Sequence, residues 1–596
     1  MPRNARKSQS RNCGNKRKNA PLGKVRIEIQ DGSSGMSPYG GLWPAVELFR
    51  KTGLPETIDS SIGARRGRGY CDSDHVLSLV LLNLAGGCAV DHLKDLRERL
   101  CFDSLGVPVP SPTSTRNWLK EFHNGAEDDK RGQGRAFVPE ENPFLSGFRR
   151  VFSRLLSFSV AEAARTARTA GTAETAETTR IAGTTAKSSP PRGAGGRAGE
   201  DRKRDCRITL DQDATFIETE GSGSLWNYEK NRSYQTFNTY CPEHDLVLAS
   251  GYRDGNVPPG YGQKEELERV LSVLPDEVNG VSLRSDCAGY QTDLLTYCNE
   301  GRNERFGRIF FGISCPMVRE FREAIRQIPE DDWKPLDSET MVLKDGTVRP
   351  AAEWAEVHYF PNSLSLKKRG PDYRFFAIRD PRDPMNPKGL GDLGEAAPHG
   401  GAKERARQRR MVEEATQLCL LKEIEDDLDA ARPEEKRDER FMTLGGRIYR
   451  TRGIVSNIED GEDGSLFGCF DGEAMDGERI IHWQRKRCGK SEEIHHILKD
   501  ELGGGHVPSG SFGANAAWWN ISALALNIHN LLKRLLLPAV YGRSRPRTLR
   551  FLLYTMVCKI VRHGGRTILK IWSGDRGGAL FEHAEKRLRQ LCCLLE

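Results

Sequence analysis

The sequence predicts an α/β protein. A core of mixed strands and helices is expected, with a mainly helical region before it, a largely β insertion within it and helices after it. Three patterns indicate this: apolar residues recur at helical spacing before residue 155, they alternate with polar residues directly after residue 205, and the two periods then succeed each other up to residue 314. With 596 residues, the chain can form several domains of about 150 residues each.

The N-terminal region is expected to be helical. The segment DHVLSLVLLNLAGGCAVDHLKDLRERL repeats apolar residues at helical spacing, and Gly86 and Gly87 predict a tight turn between two helices. In SPTSTRNWLKEF, Ser114 or Thr115 is expected to cap a short helix that carries Arg116. This helix is either a DNA-reading helix or an ordinary member of a structural bundle.

Residues 156–205 differ in composition from both neighbours. They consist mainly of Ala, Thr, Glu, Arg, Gly and Pro, almost without aromatic residues. Such a segment buries too little apolar surface to offset the entropy lost on ordering. We therefore expect a linker here, and a domain boundary.

Residues 206–314 contain the first half of the core. RITLDQDATFIE alternates as a strand does, and SYQTFNTYC, the turn-like PEHD and LVLASGY predict an antiparallel hairpin. KEELERVLSVLP then has helical spacing, GVSLRSD predicts a strand, DLLTYC a helix and RIFFGI a strand. Three strands in a meander, then a helix, a strand, a helix and a strand, is the order of the ribonuclease H-like fold.

Residues 315–480 do not continue that order and predict an insertion. MVREFREAIRQI indicates a helix, EVHYF, YRFFAIRD and RIYRTRGIV indicate strands, and a charged helix is expected near residues 403–431. KSEEIHHILKDEL then resumes as a helix that ends at the three glycines of residues 503–505. Two long apolar helices are expected near residues 512–537 and 547–571.

Charge is segregated along the chain. Residues 1–24 carry eight Lys or Arg and no acid, and residues 533–572 carry ten and no acid. Because the net charge is +7 with 18 cations at these two ends, the rest of the chain sums to −11. Such ends suit a polyanion, and an acidic middle would need metal ions to approach phosphate. The N-terminal stretch alone is equally typical of a solvated, disordered tail.

The expected compartment is the cytosol. Fifteen cysteines occur without any CxxC pair, so neither a zinc ribbon nor a disulfide framework is indicated and reduced thiols are expected. The longest apolar run, residues 76–90, is shorter than the roughly 20 residues of a membrane span. We therefore expect a buried helix there and no membrane partner.

Three carboxylates are placed where they can act together. Asp213 lies within a predicted strand, Asp286 ends another, and Glu492 lies on the helix after the insertion. In a fold of this order the first and fourth strands are neighbours, so the two Asp residues converge and a helix alongside can add Glu492. Oxygen ligands favour Mg²⁺, with Mn²⁺ as the alternative. Two such ions can drive in-line attack on phosphorus, which is the chemistry of phosphodiester cleavage and strand transfer.

At these residues the chain resembles the DDE transposases of bacterial insertion sequences. The similar segments are LDQDAT, VSLRSDCAGYQTDLL, KSEEIHHILKDEL and PSGSFGANAAWWNISALALNIHNLLKRL. The resemblance is to the subgroup whose ribonuclease H-like core is interrupted by a largely β insertion between the second Asp and the Glu. It covers roughly residues 37–572 apart from the linker.

The resemblance implies a metal-binding catalytic triad of Asp213, Asp286 and Glu492. Asp211 competes for the first place, and Asp213 is preferred because Ala214 and Thr215 follow it, a small residue and a Thr as in the family. The family also has a Lys seven residues after the Glu, on the same helix face, where it can hold a phosphate near the metals. In this sequence that residue is Lys499.

Other basic residues are expected at the DNA. The family's Tyr and Arg before the Glu are replaced here by Arg485 and Cys488, so Arg485 or the adjacent Arg487 is expected to grip DNA instead. The full set of expected DNA contacts is Lys499, Arg485, Arg487, Arg547, Arg550 and Arg116. The implied partners are double-stranded DNA, as terminal inverted repeats and target, and a second copy of the chain on that DNA; the implied location is the cytoplasm of a bacterium, at the nucleoid.

The predicted organisation follows from these assignments. It comprises a basic disordered tail (1–36), a helical DNA-binding domain (37–155), the linker (156–205), the first half of the core (206–314), the insertion (315–480) and the second half of the core with basic C-terminal helices (481–596).

Several alternatives remain at the level of sequence. The chain is either an active transposase, a catalytically inactive DNA-binding derivative or repressor of transposition, or a metal-dependent nuclease without strand transfer. His495 and His496 are expected to be poor metal ligands, because adjacent histidines do not chelate as an i, i+4 pair does. Trp518 and Trp519 are expected in the core rather than stacked on an extruded base.

Overall fold

The computed structural model describes residues 35–64, 69–131, 137–182, 206–221, 223–342, 348–361, 373–381, 441–467, 473–564, 566–571 and 576–591. The α-helices are α1 (Trp43–Lys51), α2 (Leu54–Ser61), α3 (Asp72–Ala85), α4 (Leu93–Leu100), α5 (Pro112–Lys120), α6 (Pro143–Ala182), α7 (Gln263–Leu271), α8 (Thr292–Asn299), α9 (Arg319–Arg326), α10 (Gly477–Arg485), α11 (Lys490–His496), α12 (Phe512–Leu536), α13 (Pro546–Leu549) and α14 (Arg576–Gln590).

The strands divide among the N-terminus, the core, the insertion and the C-terminus. They are β1 (Met36–Ser37), β2 (Cys206–Glu218), β3 (Leu225–Trp226), β4 (Arg232–Cys241), β5 (Leu246–Asp254), β6 (Val278–Ser285), β7 (Phe310–Cys315), β8 (Lys334–Pro335), β9 (Thr340–Val342), β10 (Val348–Pro350), β11 (Glu353–Val357), β12 (Arg374–Pro381), β13 (Phe441–Leu444), β14 (Arg447–Ser456), β15 (Cys558–His563) and β16 (Arg566–Ile571).

A large mixed sheet organises the α/β part of the described chain. Its order is β3, β4, β2, β6, β7, β14, β12, β11, β8, with β5 also on β4 and β13 also on β14. β5, β4 and β2 are antiparallel neighbours, whereas β2, β6 and β7 are parallel. The prediction that the first and fourth strands of this set, β2 and β6, are neighbours is therefore confirmed.

The insertion extends this sheet instead of folding apart from it. β14 pairs antiparallel with β7, and β12 and β11 continue outward. Trp354, Phe376 and Ile454 of these strands form a hydrophobic cluster with Ile480 and Trp483 of α10. The inserted strands therefore hold the helix that leads the chain back to the core. The charged helix expected near residues 403–431 lies outside the described residues.

A buried helix ties the N-terminal region to the core. Nearly every residue of α12 is buried, and α12 packs against α3, α6 and β5. At Gly513 a Cβ atom would lie 1.9 Å from the carbonyl oxygen of Phe122, so only glycine permits this approach. Trp518 and Trp519 are buried, as expected, and donate hydrogen bonds to the Gly503 carbonyl and to Ser250. The expected helical domain thus shares its core with the C-terminal part.

Within the described residues, no single helix has the length and apolar composition of a membrane span; Asp72–Ala85 and Val90–Leu100 meet that test only as a pair bent by 96°.

Three expectations about local structure are wrong or incomplete. The segment expected as linker is helical up to Ala182: α6 runs on into it, with frequent Ala, Glu and Arg that favour a helix, and buries Phe158 and Val160 at its start. The cap of α5 is Ser111, whose Oγ accepts the N–H of Ser114, so the helix begins earlier than expected. Residues 1–34 of the expected tail lie outside the described residues, whereas Met36 belongs to β1.

The prediction of a second C-terminal helix near residues 547–571 is also wrong. The chain there forms α13, a π-helical turn over Arg550–Tyr554 and the antiparallel hairpin of β15 and β16. CKIVRH and RTILKI are apolar enough for a buried helix, but their side chains alternate with the period of a strand. Gly564, at a φ of +55°, allows the reversal between them.

Candidate active site

Two neighbouring strands bring Asp213 and Asp286 together. β2 and β6 run parallel, with Gln212 opposite Ser285. The next residue on β2 is Asp213, and the next residue after the end of β6 is Asp286. Because paired strands lie about 4.8 Å apart, the two carboxylates belong to adjacent positions at the edge where β6 ends. Asp286 is held there as the cap of a short turn, its Oδ1 accepting the N–H of Ala288 at 3.0 Å.

Asp211 has a different role. Its carboxylate is buried and accepts two hydrogen bonds from Arg284, at 2.6 and 2.7 Å. Arg284 also donates to the carbonyl of Trp483 at 2.6 Å. This bidentate ion pair links β2 and β6 to the end of α10. Both carboxylate oxygens of Asp211 are therefore engaged within the core. Asp213 is therefore the better candidate of the two.

Glu492 follows the insertion in sequence and is carried by α11. α10 ends at Arg485, and Gly489, at a φ of +77°, allows the sharp turn into α11. Glu492 is exposed in the first turn of α11, and α11 packs against β2. The helix is shorter than the sequence indicates, because the chain continues from Ile497 to Glu501 as a π-helical turn.

The three carboxylates share one electrostatic environment. Burial raises the pKa of Asp213 to about 6; the nearby Arg487 lowers this pKa, and the negative charges of Asp286 and Glu492 raise it. A carboxylate whose pKa is raised by burial and by two neighbouring acids lies in a site where negative charge is incompletely balanced. Asp286 and Glu492 thus both act electrostatically on Asp213, while the role of the three as a metal-binding triad stays a prediction.

Arg487 is the cation that faces this cluster. Its side chain is buried, and Nη1 lies 3.3 Å from Oδ2 of Asp213. The neighbouring His495 is also buried, and burial, with Lys499 and Arg487 nearby, lowers the pKa of its imidazole to about 3. His495 is consequently neutral at physiological pH. In His496, Nδ1 lies 2.6 Å from Oδ2 of Asp500.

Lys499 reaches the same strand face as Asp213. It lies in the π-helical turn after α11, and its Nζ donates to Oγ1 of Thr215 at 2.7 Å. Asp213 and Thr215 are two positions apart on β2, so their side chains leave the same face of the strand. Lys499 therefore places a positive charge on the same face of β2 as Asp213, at Thr215.

The other expected DNA contacts are scattered. Arg485 faces the insertion, 3.8 Å from Asp337, and Arg116 of α5 forms an ion pair with Asp91. Arg547 is exposed, and its backbone N–H donates a hydrogen bond to Oε2 of Glu501. The expectation for Arg550 is wrong: its guanidinium is turned inward and donates to three backbone carbonyls, those of Asn83, Leu84 and Glu501.

Two aromatic side chains, Phe216 on β2 and Tyr228 beside it, were not singled out by the sequence. Tyr228, 71% exposed, lies on the loop between β3 and β4, with its ring 5.3 Å from that of Phe216 on β2. Burial raises the pKa of the Tyr228 phenol, and the charges of Glu229 and Asp286 act in the same direction. Exposed aromatic rings can stack on nucleic-acid bases.

The donor set suits hard divalent cations in its chemistry. Asp213, Asp286 and Glu492 offer only oxygen ligands, and their mutual repulsion is what a bound cation relieves. In the part of the chain that the structure describes, no three His, Cys, Asp or Glu side chains have the spacing of a metal site. The carboxylates are thus neighbours, with their oxygens farther apart than those of a closed coordination sphere.

Comparison with known proteins adds little. No model of a protein family matches the chain, and no curated protein is significantly similar to it in sequence. Among solved structures, a piggyBac transposase synaptic complex with hairpin DNA aligns with 88% of this chain and 82% of that chain, at 10% identity and a TM-score of 0.34. A likeness at this level establishes neither a common fold nor a common activity.

Proposed function

We propose that this protein is a DDE-type transposase with a ribonuclease H-like core. It binds the terminal inverted repeats of its own mobile element, cleaves DNA at those ends and joins them to target DNA. The observation that carries the proposal is the cluster of Asp213, Asp286 and Glu492, in which two adjacent parallel strands and a helix from beyond the insertion meet.

The strand order supports the core assignment. Three antiparallel strands, β5, β4 and β2, continue into the parallel strands β6 and β7. In this arrangement the first Asp lies within the central strand and the second at the end of its parallel neighbour. The insertion between the second Asp and the Glu supplies strands that extend the sheet and support α10.

The chain's own residues have separable roles in this proposal. Asp213, Asp286 and Glu492 would hold Mg²⁺ or Mn²⁺, which when bound supplies an activated oxygen nucleophile and stabilisation of the leaving oxygen. Arg487 balances part of the negative charge on Asp213, and Arg284 with Asp211 fixes the register of β2, β6 and α10. Lys499 is positioned to contact a DNA phosphate beside the cluster.

The experiment uses duplexes that carry the DNA flanking the coding sequence, where imperfect inverted repeats are expected. The full chain should retard these duplexes and cleave them when Mg²⁺ is present. Asp286→Ala and Glu492→Ala should still bind but no longer cleave. Glu493→Ala is the matched control, since Glu493 is adjacent on α11 but faces Lys490 and Arg545. Retained cleavage in Asp286→Ala or Glu492→Ala would refute the proposal.

The same assay separates the alternatives. A wild-type chain that retards end DNA but never nicks it with Mg²⁺ or Mn²⁺ would be an inactive derivative or a repressor. A chain that nicks DNA but never joins supplied 3′-hydroxyl ends to a plasmid would be a nuclease. A second copy of the chain on paired ends would appear as a slower-migrating complex that contains two duplexes.

A further inference from the structure

The hairpin of β15 and β16 displays a face of unusual charge. Its register pairs Lys559 with Lys570, Val561 with Ile568 and His563 with Arg566. Residues directly opposite each other in an antiparallel pair project from the same face, and alternate pairs share it. One face of the hairpin, which we call the ribbon face, therefore carries these three pairs.

The ribbon face points away from the fold. The intervening residues Ile560, Leu569 and Ile571 pack against the main hydrophobic core, and Cys558 is buried in it. On the ribbon face, by contrast, the basic side chains are all exposed: Lys559, His563, Arg566 and Lys570. The hairpin thus has one face that holds it to the protein and one face that is cationic and open.

Among the residues that the structure describes, no acidic side chain pairs with Lys559, Arg566 or Lys570 of this face. Like charges directly opposite each other destabilise a strand pair, and Lys559 and Lys570 are such a pair. In addition, the chain has no acid between residues 533 and 572. The described part of the fold therefore leaves these positive charges available to an external anion.

The hairpin is also paired with the strand that follows the basic N-terminal segment in sequence. β1 pairs with β15, with Met36 opposite Lys559. Residues 1–24, which carry eight cations and no acid, are joined to β1 through a short stretch of chain. The sequence thus continues from β1, which pairs with this hairpin, into a second basic segment, and so much positive charge favours a large polyanion over a small anionic ligand.

We propose that the β15–β16 ribbon binds in the major groove of double-stranded DNA and orients the duplex on the protein. The major groove admits a two-stranded β-ribbon, and the exposed cations of the ribbon face would lie against the phosphates on its rims. The proposal deepens the proposed function, because it rests on DNA being the substrate, and it names a binding element separate from the carboxylates.

The test removes three cations from the ribbon face in the full chain. Lys559→Gln, Arg566→Gln and Lys570→Gln are combined and compared with a control in which the exposed Arg302, Arg319 and Lys334 are changed to Gln, for the same loss of charge. Binding of a mixed-sequence DNA duplex and of one of its single strands is measured by fluorescence anisotropy over a series of KCl concentrations. Thermal unfolding midpoints establish that both variants fold.

The ribbon variant should bind the duplex at least about 10-fold more weakly, and the slope of log K against log salt should fall by about 2.7, which is about 0.9 for each lost phosphate contact. The control should keep the wild-type slope. Unchanged duplex binding in the ribbon variant, or an equal loss for duplex and single strand, would overturn the proposal. Magnesium-dependent cleavage is scored separately with Asp286→Ala, so failure of the ribbon and failure of the proposed function give different results.

Discussion

Nη1 of Arg487 lies 3.3 Å from Oδ2 of Asp213, and this contact defines the charge state of the candidate site. The guanidinium lowers the pKa of the carboxylic acid, yet burial together with Asp286 and Glu492 keeps that pKa at about 6. Burial thus outweighs the attraction of Arg487, and the two neighbouring acids add to the cost of ionising Asp213. Under the proposed function, we expect a bound divalent cation to relieve that cost.

Replacing Arg487 by a neutral residue should strengthen the binding of a divalent cation. Arg487→Gln removes a positive charge beside the carboxylates, so Mn²⁺ should bind about 10-fold more tightly, equivalent to about 1.4 kcal/mol. Arg487→Lys, which keeps the charge, should bind Mn²⁺ as the wild type does. Titration calorimetry checks both. Weaker Mn²⁺ binding by Arg487→Gln would mean that Arg487 serves chiefly to orient Asp213.

Asp211 and Asp213 should separate structure from activity. Breaking a buried ion pair costs about 3–5 kcal/mol, so Asp211→Asn should lower the thermal unfolding midpoint markedly. Asp213→Asn should leave that midpoint unchanged or raise it, because the site repels the ionised carboxylate. The double variant Asp211→Leu, Arg284→Met should regain much of the lost stability. Equal destabilisation by Asp211→Asn and Asp213→Asn would contradict these roles.

Lys499 should contribute one phosphate contact. Lys499→Met is expected to reduce the slope of log K against log salt for duplex binding by about 0.9. Thr215→Val is the matched control, since it removes the hydroxyl that holds Nζ and leaves the charge in place. If both variants retain the wild-type slope, Lys499 does not contact DNA.

Three histidines with lowered pKa values make the fold sensitive to acid: His495 and His529, which are buried, and His244, which is half-buried. Burial lowers the pKa of His244 to about 4 and those of His495 and His529 to about 3, helped by Arg534, by Lys499 and by Lys533 respectively. Each histidine binds a proton in the unfolded chain near its usual pKa of about 6.5 but stays neutral in the folded chain. Stability is thus fully present above about pH 6.5 and is lost as the pH falls toward the folded values.

The size of this loss can be measured at one position. Each histidine should cost about 1.4 kcal/mol for each pH unit below about 6.5. His529, which is hydrogen-bonded to Tyr554 and to the Ser544 carbonyl, is far along the chain from the carboxylates. His529→Gln should show a smaller drop in denaturation midpoint between about pH 6.5 and about pH 5.5 than the wild type does. An identical drop in both would show that His529 is protonated in the folded chain.

Much of the core could be predicted because its periods are local. β2, β4, β5, α7, β6, α8 and β7 occur where the alternation and the helical spacing indicate. The adjacency of Asp213 and Asp286 follows from strand order alone. The candidacy of Glu492 could be predicted from the helix that carries it and from the residues next to it in sequence.

The remainder depends on contacts between distant residues. The assignment of Asp211 to the core requires Arg284, 73 positions away, and nothing local marks that pair. The guanidinium of Arg550 is held inside the fold by hydrogen bonds to carbonyls of α3 and of Glu501. Because these partners are distant in sequence, the local sequence could not predict that this side chain points inward. The β15–β16 hairpin has both an apolar content that favours a helix and an alternation that favours strands, and packing against the core decides between them.

The most direct test of the central claim is Mn²⁺ binding to the full chain, measured by titration calorimetry without DNA. The account predicts binding by the wild type that is weakened at least about 10-fold, or about 1.4 kcal/mol, in Asp213→Asn, Asp286→Asn and Glu492→Gln, and unchanged in Glu493→Gln. Wild-type affinity in all three site variants, or no difference between them and Glu493→Gln, would contradict it.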